Sequence, residues 1–155
     1  MRRKLGEYLG YGLHVITFIT YFILLFTSEI SQSLQWLQYP GFVFFILGLV
    51  FLAFSFINQH QNKNGAIIDK GVYGIIRHPM YLGAILLFIA MGCFIPVWLM
   101  LILAIINIVI VYLFILAEEK IDLEKYGNDY REYMASIPQV NFIIGLIRKL
   151  KTRRH

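Results

Sequence analysis

The sequence predicts an all-α integral membrane protein: four transmembrane helices, the third and fourth a tight hairpin, followed by cytoplasmic C-terminal helices. Hydrophobic residues make up 59% of the 155-residue chain and charged residues 15%, against roughly 45–50% and roughly 25% in soluble domains. Uncharged stretches run from Tyr8 to Ser28 and from Met80 to Ala117, long enough to cross a hydrocarbon core of roughly 30 Å. All 14 Lys and Arg lie in the N-terminal tail, in the loop between the second and third apolar runs, or beyond residue 117. Basic residues concentrate on cytoplasmic loops, so both termini are expected in the cytoplasm. No Pro- or Ser-rich linker divides residues 1–155, which are read as one domain.

Met1-Arg-Arg-Lys4 is a basic start, and residues 8–28 form the first span. His14 lies inside it, and ionisable groups at membrane depth face the bundle interior or a cavity. A neutral His14 bonded to a neighbouring helix is the expected arrangement. Glu29-Ile-Ser-Gln-Ser33 is a polar turn, Trp36 and Tyr39 are interfacial aromatics, and Pro40 opens a second span over 40–57. A polar loop follows from Asn58, in which Ala66-Ile-Ile68 is short and extended and Asp69-Lys-Gly71 turns the chain. Pro79 starts a third span, 79–94, because proline at the first helical position loses no hydrogen bond. Gly92 weakens it and Pro96 restarts the helix. The 38 uncharged residues from Met80 to Ala117 exceed one span and suffice for a hairpin whose second arm is residues 97–117. Its ends, His78 and Glu118, then emerge on one side of the membrane.

The cytoplasmic tail, 118–155, is helix-prone, with a break at Gly127 and a stop at Pro138. Glu118 and Glu119 adjoin the end of an apolar helix, where the dipole is negative unless the helix continues. A compensating partner is expected, although solvated glutamates beside Lys120 or Lys125 are the plainer alternative. Tyr126, Tyr130 and Tyr133 recur at helical spacing, as a packing stripe does. Residues 142–155 set apolar side chains beside a basic cluster, the pattern of an amphipathic helix on anionic lipid headgroups.

Several function classes drop out. The net charge of +5 flanks apolar spans and gives no reason for a nucleic-acid partner. Cys93 is the single cysteine and lies in an apolar run, so it makes neither an intrachain disulfide nor a thiolate metal cluster. No small-residue cleavage pattern follows the first apolar run, which therefore reads as retained.

The chain is organised around Gly71-Val-Tyr-Gly-Ile-Ile-Arg-His-Pro-Met-Tyr-Leu-Gly83, where a Gly-punctuated loop turns into a helix at Pro79. Arg77 and His78 sit by the positive end of that helix, near free backbone amides, a setting that favours anions. Ordinary interfacial anchoring is the competing reading of the same residues.

Together, Gly71-Val-Tyr73, Arg77-His-Pro-x-Tyr81, Glu118-Glu119 and Tyr126-Gly-x-x-Tyr130-x-x-Tyr133 resemble the isoprenylcysteine carboxyl methyltransferase family over about residues 58 to 138. The resemblance extends to membrane methyltransferases of phospholipid amines or small thiols. It implies S-adenosylmethionine held at the cytoplasmic helix ends, S-adenosylhomocysteine as product and no metal. By the same resemblance Ile67 and Ile68 would line the cofactor with backbone groups, Tyr73, His78, Pro79, Met80 and Tyr81 would contact it, and Glu118 would complete the clamp. A polar contact at Asn58 is also implied. The short N-terminal part points to a minimal core of prokaryotic type, in a prokaryotic cell membrane.

Such chemistry needs positioning and exclusion of water, with a polar clamp for the cofactor and an apolar entrance for a lipophilic or lipid-modified acceptor. Arg77 is the candidate cation toward an acidic acceptor. Glu119 is the nearest base for an amine. Two departures bear on the acceptor: Phe114 stands where the eukaryotic enzymes carry a substrate-facing Arg, and Gln139 follows Pro138 where the family often has Arg. A phospholipid N-methyltransferase and a non-catalytic transporter or assembly protein are the competing functions, the latter expected to carry polar residues near mid-membrane.

Overall fold

A computed structural model of the chain describes residues 2–62 and 66–152. Met1, Lys63 to Gly65 and Arg153 to His155 lie outside them, and with them parts of the basic start, the polar loop and the C-terminal basic cluster. Six α-helices follow one another: α1 (Arg2–Thr27), α2 (Gln38–Gln61), α3 (Pro79–Phe94), α4 (Trp98–Tyr126), α5 (Asn128–Ser136) and α6 (Phe142–Thr152). Short 3-10 helices at Gln32–Leu37 and Gly71–Gly74 complete the list, and no strand occurs among the described residues.

Three of these elements are long and apolar enough to cross a membrane: α1, α2 with the 3-10 turn before it, and α4. The 16-residue α3 is apolar but shorter, where four spans were expected. In their most apolar windows only 11%, 22% and 28% of the three long elements' residues are buried within the chain. Their large side chains therefore meet the surroundings rather than each other, which is stable in hydrocarbon and costly in water.

Two boundaries correct the sequence reading. The α2 helix starts at Gln38, ahead of Pro40, because a first-turn proline forgoes only an amide that has no intrahelical acceptor. The α4 helix does not stop at Ala117 but continues to Tyr126. The negative dipole end therefore falls beyond Glu118 and Glu119.

The chain forms two compact units, Met1–Gly48 with Ala84–Phe114, and Leu49–Gly83 with Ile115–His155. The first holds a buried polar cluster between α1 and α4. His14 Nδ1 bonds the Asn107 side-chain oxygen, Asn107 Nδ2 donates to Thr17 Oγ1 and to the Leu103 carbonyl, both at 2.7 Å, and Thr17 donates to the Leu13 carbonyl at 2.9 Å. Asn107 and Thr17 are fully buried. This is the neighbouring-helix bond expected of His14.

The second unit holds the end of α2, the loop, the first turn of α3, the end of α4, α5 and α6. Gly127 joins α4 to α5 at φ +60° and ψ −123°, a backbone conformation that side chains disfavour, so the helix breaks there. Beyond α5 the chain runs back along the loop. The Arg77 amide donates to the Pro138 carbonyl at 2.9 Å and the His78 amide to that of Gln139 at 3.1 Å.

Candidate active site

The second unit encloses a cavity of about 260 Å³, at the lower edge of the roughly 300–1,000 Å³ of small-molecule sites. Each wall comes from a different element. Gln59 stands on the last turn of α2 and Asn62 just beyond it, Ala66, Ile67 and Ile68 on the loop, and Tyr73 on the 3-10 turn. Arg77, His78, Met80 and Tyr81 flank the start of α3; Glu118, Asp122 and Tyr126 come from α4, and Tyr130 and Tyr133 from α5.

Burial and charge are distributed unevenly around it. Arg77 and Glu119 are nearly enclosed, with side chains 9% and 10% exposed, and the guanidinium meets the carboxylate at 2.9 Å. His78 Nε2 lies 3.2 Å from the same Glu119 oxygen. Burial, the larger influence, pushes the imidazole below its ordinary value, against the opposing pull of Glu119. A neutral ring has one proton, and the Nε2 hydrogen bond to Glu119 engages it. The other nitrogen, Nδ1, is 3.8 Å from Glu118 Oε2, too far for a hydrogen bond.

Two buried polar atoms therefore lack a hydrogen-bond partner among the described residues: Glu118 Oε2 and Arg77 Nε. One accepts and the other donates. Buried polar groups are nearly always paired, so these two mark where a ligand's own donors and acceptors would be received.

Tyrosines make up much of the remaining wall. Tyr73 takes a hydrogen bond from Gln59 at 2.8 Å, Tyr133 donates to the Tyr73 carbonyl at 2.8 Å, and Tyr130 bonds Asp122. Burial raises the pKa of all three phenols, so they remain neutral hydroxyls. The Tyr130 and Tyr133 rings lie 5.8 Å apart.

Of the residues expected at a site, Ile67, Ile68, Tyr73, Arg77, His78, Met80, Tyr81 and Glu118 share this cavity, whereas Pro79 and Glu119 do not line it. Pro79 is buried in the first turn of α3, and Glu119 stands behind the wall as the partner of Arg77. Asn58 is also off the wall. Its amide donates to the Phe54 carbonyl at 2.7 Å and occupies the space where a Cβ on Gly71, at φ +60°, would go. The amides of Arg77 and His78, expected to be open to an anion, are taken by the Pro138 and Gln139 carbonyls.

Sequence reasoning missed Gln59, Asn62 and Asp122, and it placed the three tail tyrosines in the motif without assigning them to the site. A signal existed for Asp122, four residues after Glu118 and hence on the same face of α4. The tyrosine spacing was visible but equally suited packing.

Apolar helices of spanning length and a polar, tyrosine-walled cavity describe a membrane protein with a candidate small-molecule site. A model of the phospholipid methyltransferase family matches residues 19–129, and the chain belongs to that family. This is the group of membrane methyltransferases to which the motifs around His78 and Glu118 point. The protein is thus an S-adenosylmethionine-dependent methyltransferase. Neither a curated protein nor a solved structure matches the chain.

Proposed function

We propose that the enzyme methylates a lipophilic acceptor at the cytoplasmic membrane face, in the manner of isoprenylcysteine carboxyl methyltransferases, with its cofactor in the tyrosine-walled cavity. The single observation that carries this is Glu118 Oε2, a buried oxygen on the cavity wall without a hydrogen-bond partner among the described residues, although Tyr81 bonds the same carboxylate. S-adenosylmethionine brings an ammonium and two ribose hydroxyls as donors, and a carboxylate and adenine as acceptors. The residues present fit that set. Glu118 would receive the ammonium or the ribose hydroxyls, His78 Nδ1 would accept a further donor, Arg77 Nε would meet an acceptor, and Tyr73, Met80 and Tyr81 with the Ile67 and Ile68 backbone would enclose the rest. When bound, the cofactor supplies an electrophilic methyl on a sulfonium. The chain's part is to orient both reactants and exclude water. The topology that serves this is four spans, α3 included as the short arm of a hairpin, with both termini in the cytoplasm of a prokaryotic cell.

A phospholipid amine or a thiol is favoured over a prenylcysteine carboxylate by one further observation. Arg77 is already paired with Glu119 at 2.9 Å, and Phe114 and Gln139 hold the other two positions, so none of these three offers a free cation to an acidic acceptor. Glu119, the base expected for an amine, is held in the same pair and does not line the cavity.

The test is calorimetric titration of S-adenosylhomocysteine into detergent-purified protein. Wild type should bind in the micromolar range, and Glu118→Ala and His78→Ala should bind roughly 10- to 100-fold more weakly, the loss expected for charge-assisted hydrogen bonds. A folded, monodisperse wild type that binds none removes the cofactor from this cavity.

A further inference from the structure

Four large side chains on α6 point away from their own unit. Ile143, Leu146, Ile147 and Leu150 follow the i, i+3, i+4, i+7 spacing of one helix face and are 71%, 38%, 49% and 52% exposed. The opposite side is anchored to the unit by Gly145, Arg148 and Lys149. A Cβ on Gly145 would collide with the Ile75 carbonyl, so the helix backbone lies directly on the loop, and Lys149 Nζ donates to the Gly71 carbonyl at 3.3 Å. Arg148 donates to the Ala135 and Ser136 carbonyls at 3.4 and 3.2 Å, capping the end of α5.

The depth of α6 follows from its first residue. The Phe142 ring meets that of Phe51 edge-on, with centroids 5.4 Å apart, and Phe51 belongs to the apolar part of the spanning helix α2. Thus α6 begins beside the second half of a span, ten residues before that helix ends at Gln61. Lys151 is exposed on the same helix. An apolar face flanked by basic residues at that depth matches the boundary of an anionic bilayer.

We infer that α6 seats its Ile143–Leu146–Ile147–Leu150 face in the interfacial zone of an anionic bilayer and thereby braces the Gly71–Ile75 segment, which carries Tyr73 to the cavity wall. The bilayer is then a structural partner of the site. Its seating needs only that the apolar helices lie in a membrane; its effect on the cavity rests on the proposed cofactor site, and the two are tested separately.

For the seating, Cys93 is replaced by Ala and a nitroxide is attached at Ile143→Cys, Ile147→Cys or, as a solvent control on α5, Glu132→Cys. In vesicles containing phosphatidylglycerol, the labels on α6 should relax with oxygen and be protected from a water-soluble nickel chelate, and the label at position 132 should do the reverse. Chelate access at positions 143 and 147 overturns the inference, as does protection from both reagents, which would mean that a second copy covers the face. For the bracing, Ile147→Glu in phosphatidylglycerol nanodiscs should weaken S-adenosylhomocysteine binding roughly 3- to 30-fold, while Ile147→Leu leaves it unchanged. Equal affinity in both variants refutes the bracing. A wild type that binds no cofactor product fails the site proposal instead, and leaves the label result to decide the seating.

Discussion

Two histidines lie in polar clusters on this chain, and they are managed in opposite ways. Around His14 the polar atoms of Asn107 and Thr17 are all spoken for, ending on the Leu103 and Leu13 carbonyls. Around His78 the hydrogen bonds converge on one oxygen of Glu119, and Arg77 Nε and Glu118 Oε2 are left over beside a cavity. A self-satisfied cluster at membrane depth joins helices, because its groups have nothing better to bond in hydrocarbon. One that leaves a donor and an acceptor unpaired around an open volume is arranged for a ligand. The same residue type thus serves packing in one unit and, on the reading proposed here, binding in the other.

The comparison can be broken most severely at Glu119. Removing one partner of a nearly enclosed ion pair leaves the other charge unpaired, so Glu119→Ala should lower stability by about 3–5 kcal/mol, whereas Arg77→Met with Glu119→Leu should recover most of that loss. Thermal unfolding in detergent reads both. Equal melting temperatures for wild type and the single variant would show that the pair is not enclosed as described.

A smaller effect is expected at the closed cluster. Asn107→Leu removes interhelical hydrogen bonds whose average worth in membrane proteins is about 0.6 kcal/mol, with a maximum near 1.7. Stability should fall within that range, with cofactor-product affinity unchanged. A loss of binding as large as that of Glu118→Ala would erase the distinction between the two clusters.

The smallest expected effect is a pH slope. Because burial lowers the His78 pKa in the folded chain, the unfolded chain takes up its proton first as pH falls past the ordinary value of 6.5. Stability should therefore decline below that pH and be regained above it. Arg77, Glu118, Glu119 and Tyr81 face the ring and are retained in His78→Gln. The wild-type melting temperature should drop more steeply than the variant's on acidification, and parallel curves would refute the assignment.

Much of this architecture was legible before folding. Spanning helices announce themselves by uncharged length, the interruption between α3 and α4 by Gly92 and Pro96, and the break after α4 by Gly127, since each is a local property of the chain. The His78 and Glu118 motifs were legible for the same reason, as short runs of adjacent residues, one at a helix start and one where an apolar helix turns polar. Harder to see were Gln59, Asn62 and Asp122, whose polar spacing also fits a solvated helix face, and Tyr130 and Tyr133, which reach the cavity only because α5 turns back after Gly127. The bonds from the Arg77 and His78 amides to Pro138 and Gln139 are backbone contacts between distant segments and leave no trace in side-chain pattern.

Composition, charge placement and two short motifs were sufficient to identify a membrane methyltransferase built of helices, because burial in lipid and helix punctuation act over a few turns of chain. Which of two neighbouring glutamates pairs with Arg77 was not decided at that range. Adjacent residues on a helix point about 100° apart, so the rotation of α4 about its own axis selects Glu119 for the buried pair and turns Glu118 to the cavity. That rotation is set by packing among α2, the loop, α4 and α5 in the folded unit.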